Sequence, residues 1–111
     1  MSIYPTVLIT ARISRGGFGN ERTYKIRAAS GKDFTGLAAW LYCFDTQVHR
    51  LQEEPEGEVP GFIEARIVNG RPDGPAKVWL PDGEVCYVAR SELRSDLPIP
   101  PKPETPTNVP V

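Results

Sequence analysis

The chain opens one strand-like segment with Ala11-Arg12-Ile13 and a second, further along, with Ala65-Arg66-Ile67. After each opening come a Gly-rich loop, a short apolar run and a tight turn, within Lys25-Ile26-Arg27-Ala28-Ala29-Ser30-Gly31-Lys32 and Lys77-Val78-Trp79-Leu80-Pro81-Asp82-Gly83-Glu84. The same order of signals in both halves predicts a small β architecture built by internal duplication. Period-two alternation supports this. Val7, Ile9, Ala11 and Ile13 alternate with Leu8, Thr10 and Arg12, and Ile63, Ala65 and Ile67 alternate with Glu64, Arg66 and Val68. Side chains in a strand point to opposite faces in turn, so each segment has one face to bury.

Turn chemistry punctuates the rest. Arg15-Gly16-Gly17-Phe18-Gly19-Asn20 reads as a loop, residues 22–28 as a strand, Ser30-Gly31 as a hairpin turn and residues 33–39 as its return strand. Asp82-Gly83 supplies the positive backbone angle for a second hairpin, between residues 76–80 and 84–90. Leu37, Leu41, Phe44, Val48 and Leu51 fall at helical spacing, yet Trp40-Leu41-Tyr42-Cys43-Phe44 favours a strand. We expect a strand or tight turn through Phe44, then a short helical segment near residues 46–53. Ser91 is expected to cap one helical turn.

Composition divides the chain into a first β unit (1–52), an acidic Pro/Gly linker (53–61), a second β unit (62–96) and a Pro-rich tail (97–111). Residues 1–46 carry six basic and three acidic side chains, whereas Glu53, Glu54, Glu56 and Glu58 make the linker region acidic. Repelling charges with Pro and Gly suit a connection rather than an element. In the tail, six of the last fifteen residues are Pro, which cannot donate to a ladder, so the expectation is an extended segment. Cys43 and Cys86 form no CxxC pair and are expected to be buried thiols. The N-terminus has no signal-peptide pattern and no run of about twenty apolar residues exists, which predicts a cytoplasmic protein without membrane contact.

The second half, Phe62-Ile63-Glu64-Ala65-Arg66-Ile67, a Pro/Gly turn, residues 76–88 and Ser91-Glu92-Leu93, resembles the small barrels of the Src homology 3-like class. That resemblance covers about thirty residues and implies an all-β fold. The expectation is one small SH3-like barrel or two related half-barrels. It carries no functional residue over, because the aromatic cluster of the peptide-binding members has no positional counterpart here.

No cluster of residues advertises catalysis. His49 has no Ser, Cys or second His at a working spacing, and the glutamates of the linker are separated by Pro and Gly, so neither an enzyme nor a bound metal or cofactor is expected. Two kinds of binding remain. The first is docking on a larger protein assembly through sheet faces, loops and tail. There Trp40 and the Pro98 and Pro101 of a PxxP segment are candidate contacts, and any exposed member of the Trp and Tyr set would mark a binding face. The second is RNA or DNA binding by the basic Gly-rich loop, with Arg15, Phe18 and Arg22 as contacts and Arg12 and Lys25 beside them.

Overall fold

The fold is taken from a computed structural model, which describes residues 4–70 and 73–102. It is mainly β. The strands are β1 (Thr6–Arg15), β2 (Glu21–Arg27), β3 (Asp33–Ala39), β4 (Cys43–Phe44), β5 (Val59–Gly70), β6 (Ala76–Trp79), β7 (Val85–Val88) and β8 (Leu93–Arg94). Single 3-10 turns, Trp40–Tyr42 and Arg90–Glu92, precede β4 and β8. The order in each half is therefore three strands, a 3-10 turn and a two-residue strand.

All eight strands belong to one curled sheet, a half-barrel with path β3-β2-β1-β5-β6-β7. Its centre is the antiparallel pairing of β1 with β5, in which Ile9 lies opposite Ile63, Leu8 opposite Glu64 and Thr10 opposite Phe62. The short last strand of each half crosses over. β4 pairs with β5 through Cys43–Ile63 and Phe44–Phe62, and β8 pairs with β1 through Ile9–Leu93 and Leu8–Arg94. Each half thus completes the sheet of the other.

The alternation read from the sequence sets the two faces. Val7, Ile9, Ala11, Ile13, Tyr24, Ile26, Ile63, Ala65, Val78 and Val88 are buried in the main core inside the curl, with Cys43 and Cys86. Leu8, Phe44 and Phe62 form a second cluster on the opposite face, against which Val48, Leu97 and Ile99 pack. Gly61 sits where the backbones are closest, since a Cβ there would collide with the Phe44 carbonyl.

Both expected hairpins form, and they share one geometry. Ala28 N–H donates to Lys32 O and Gly31 N–H to Ala28 O, while Leu80 N–H donates to Glu84 O and Gly83 N–H to Leu80 O. Gly31 and Gly83 have φ of 92° and 90°, the left-handed conformation that this turn requires. In the β1–β2 loop, Gly16 N–H donates to Glu21 O at 3.1 Å, and a side chain on Gly16 would press on the Glu21 backbone.

Two expectations are corrected. Residues 46–53 form no helix. The Asp45 carboxylate accepts the N–H groups of Gln47 and His49, Val48 adopts φ 64°, and the chain returns so that Phe44 bridges Arg50. A left-handed β-branched residue stops helical propagation, and the Asp45 side chain takes N–H groups at the start of the turn. Ser91 lies inside the 3-10 turn rather than capping it; the cap is Ala89, with no side-chain bond.

Candidate functional site

The outer face of β1 and β5 carries the most developed arrangement of side chains. Strand alternation that sends Ile9 and Ile63 into the core turns Leu8, Phe62 and Glu64 outward, and β4 adds Phe44 beside Phe62. Leu8 and Phe44 are nonetheless wholly buried, with Val48 and, from the Pro-rich segment, Leu97 and Ile99 packed on their cluster. The Pro-rich segment is docked on its own sheet.

Three kinds of contact hold it. Leu97 and Ile99 add apolar area to the Leu8, Phe44 and Phe62 cluster. Arg50 sends Nη2 to the Pro100 carbonyl and Nη1 to the Pro101 carbonyl, each at 3.0 Å, while its Nε donates to Leu41 O at 2.9 Å. The same guanidinium stands over the Phe44 ring, 5.0 Å from its centre, a cation–π contact. An extended Pro-rich segment makes no hydrogen bonds within itself, so its carbonyls are open to a planar fork of donors. Finally, Lys102 Nζ lies 3.5 Å from Glu64 Oε2 and 5.1 Å from the Tyr42 ring centre.

Glu64 is 7% exposed, and its Oε1 is buried without a hydrogen-bond partner. It borders a cleft of about 230 Å³ lined by Tyr42, Arg66, Trp79 and Lys102, among others. Arg66 directs Nη1 to the Tyr4 carbonyl at 3.2 Å. Trp79 meets the Tyr4 ring edge-on at 6.4 Å between ring centres and is 44% exposed. On the same face of the β6–β7 hairpin, Val85 lies directly opposite Trp79, and Tyr87 is two residues along; these are 48% and 53% exposed.

The residues singled out from the sequence are dispersed. Phe18 is 73% exposed at the tip of the Gly-rich loop. Arg15 is exposed and pairs with Glu54, while Arg12 and Lys25 both reach Glu58. The expected role of Arg22 as a phosphate contact is corrected. Its side chain is fully buried and donates to the carbonyls of Gly19, Glu21, Leu51 and Gln52 at 2.8–3.2 Å. In β2 it alternates with Glu21 and Thr23, which puts it on the inward face with Tyr24 two residues on. Trp40 begins a 3-10 turn, half-buried, with its N–H on the Asn20 carbonyl. Pro98 is exposed, and Pro101 contributes its carbonyl to Arg50. Pro103-Glu104-Thr105-Pro106, also of PxxP form in the sequence, lies outside the described residues.

Sequence reasoning missed Arg50, Glu64 and Tyr42. The only available signal was Glu64 itself, an acidic side chain between the apolar Ile63 and Ala65.

The titratable groups of the core point away from reactivity. Burial pushes the Cys43 thiol up to about 12, and it also raises Cys86. The Tyr24 phenol is raised by burial first and by Asp82 second. A buried thiol is a poor nucleophile because the thiolate is the attacking form. His49 is exposed beside Asp45. Among the described residues no helix is long and apolar enough to cross a membrane.

The curled all-β sheet is compatible with the Src homology 3-like class expected from the sequence. No family model matches the chain, and neither a curated protein nor a solved structure matches it.

Proposed function

We propose that this chain is a non-catalytic protein-binding module, built from two copies of one β-β-β-turn-β unit, that docks on a larger assembly. The supporting observation is the exposed set Trp79, Val85 and Tyr87 on one face of the β6–β7 hairpin. Large aromatic side chains that a small fold leaves half in water are the commonest anchors of protein interfaces. Lys102 of the Pro-rich segment lines the same cleft as Trp79 and offers further contact. The duplication reading rests on the matching order of elements and on the exchange of β4 and β8.

Capture from native extract by the full chain, run beside Trp79→Ala/Tyr87→Ala, tests the reading. Recovery of a stoichiometric protein partner that the double variant loses at least tenfold supports it. Recovery of the chain alone at every salt concentration overturns it.

Nucleic-acid binding by the first half is the second reading, favoured by the exposure of Phe18 and Arg15, and it requires phosphate to replace Glu54 at Arg15 and Glu58 at Arg12 and Lys25. It predicts affinity for single-stranded RNA or DNA that falls steeply with salt and weakens in Arg15→Ala. Absence of binding at low salt removes it.

A further inference from the structure

The docked segment does not use all that its site offers. Lys102 approaches only Glu64 Oε2, at 3.5 Å, and remains 46% exposed along its side chain. Glu64 Oε1, a buried acceptor, has no hydrogen bond. Beside it the cleft keeps open space between Tyr42 and Trp79. A buried acceptor left unmatched is costly, and a carboxylate accepts two parallel N–H bonds from a guanidinium better than one contact from an ammonium. A guanidinium also stacks on aromatic rings.

We infer that the outer face of β1, β4 and β5 is a peptide-docking surface, occupied in cis by residues 97–102. Its partner presents an extended segment with apolar side chains at positions i and i+2 and an arginine at i+5. The pattern is that of Leu97, Ile99 and Lys102, with arginine in place of the lysine. Leu8, Phe44 and Phe62 take the apolar pair, and Arg50 takes the carbonyls at i+3 and i+4. Those bonds read main chain, so they do not discriminate between sequences. Glu64 supplies the selectivity, by offering both carboxylate oxygens to the arginine. The chain's own segment is then a competitor that keeps the apolar face covered until a better-matched segment arrives.

This inference rests on the reading of the chain as a protein-binding module; Trp79 lines the cleft beside Glu64 and borders both regions, whereas Tyr87 lies further along the β6–β7 hairpin, so capture lost in Tyr87→Ala alone is read apart from an arginine preference lost in Glu64→Gln. The test uses the full chain carrying Ile99→Asp/Lys102→Glu, which loosens the segment while leaving it attached. The probes are fluorescent peptides with the sequence of residues 96–102, either unchanged or with Lys102→Arg. The loosened chain is expected to bind the unchanged peptide at least tenfold more tightly than the wild type does. The arginine peptide should gain a further severalfold, and adding Glu64→Gln should abolish that gain. In parallel, the arginine peptide is titrated into the unaltered chain while the amide resonances of Leu97, Ile99 and Lys102 are followed by NMR. They are expected to move to random-coil positions as the segment is displaced. No binding by a folded loosened chain, an arginine preference that survives Glu64→Gln, or amides unmoved at millimolar peptide each overturns the inference. Should the loosened chain fail to fold, the titration of the unaltered chain decides alone. Failure here with Trp79- and Tyr87-dependent capture intact would leave the broader reading standing.

Discussion

Arg22 Nε donates to the Leu51 carbonyl at 3.2 Å, and this bond ties a buried side chain of β2 to the stretch of chain that leaves β4 for the linker. The other guanidinium nitrogens close the arrangement on Gln52, Gly19 and Glu21. One cation thereby satisfies carbonyls of two loops that are remote in sequence.

Substituting Arg22 with Ala leaves those buried carbonyls unmatched and a void behind them. Each buried acceptor left unmatched costs about 1–3 kcal/mol. Arg22→Lys is expected to recover little, because an ammonium cannot span four acceptors in a plane. Urea unfolding of the two variants checks this; a loss below about 1 kcal/mol in Arg22→Ala would contradict the role.

The exchange of β4 and β8 predicts that neither half folds alone. Residues 1–52 lack the strand that pairs with β4, and they also lack β8, which β1 needs. The full chain should unfold in one cooperative step by fluorescence and by circular dichroism. A fragment of residues 1–52 should give the narrow amide dispersion of an unfolded chain. A well-dispersed spectrum from it would show that the halves are independent.

Gly61 lies under the Phe44 carbonyl, so Gly61→Ala forces β4 away from β5. Overpacking of this kind costs about 1–3 kcal/mol. Thermal unfolding is expected to move down accordingly, whereas Gly57→Ala, where no atom lies within contact distance, should be close to neutral.

Stability should fall on the alkaline side. Burial raises the Cys43 thiol from an ordinary value of 9.0 to about 12 in the fold. The unfolded chain therefore loses this proton first. The thiol's contribution is complete below pH 9 and declines as pH rises toward 12, by about 1.4 kcal/mol per pH unit. Tyr24, shifted in the same direction, adds to the decline above pH 10. Urea midpoints measured from pH 8 to 10.5 should drop, with a shallower slope in Cys43→Ala. An unchanged slope in that variant would contradict the assignment.

The parts of this fold that depend on local chemistry were legible in the sequence. Alternation in residues 7–13 and 63–67 marks the inward faces, and Ser30-Gly31 and Asp82-Gly83 mark two turns that need a left-handed residue. Arg22 and residues 46–53 were not legible, for related reasons. The burial of Arg22 depends on carbonyls supplied by residues 51 and 52, and the turn at Val48 depends on the Asp45 side chain; helical spacing of apolar residues is blind to both. The outer site escaped because three of its members, Arg50, Glu64 and Tyr42, meet only after the sheet has curled and residues 97–102 have crossed it. A Pro-rich stretch read alone suggests a ligand for some other protein. Its nearest acceptor is the outer face of its own sheet.

The order of residues 97–102 in solution tests the account most directly, because the binding surface is defined by what covers it. Backbone 15N relaxation of the full chain gives order parameters for Leu97, Ile99 and Lys102. Values near 0.85, equal to those of β1, are predicted, with Arg50→Ala lowering them selectively. Values below about 0.6 at all three positions, unchanged by that substitution, would contradict it.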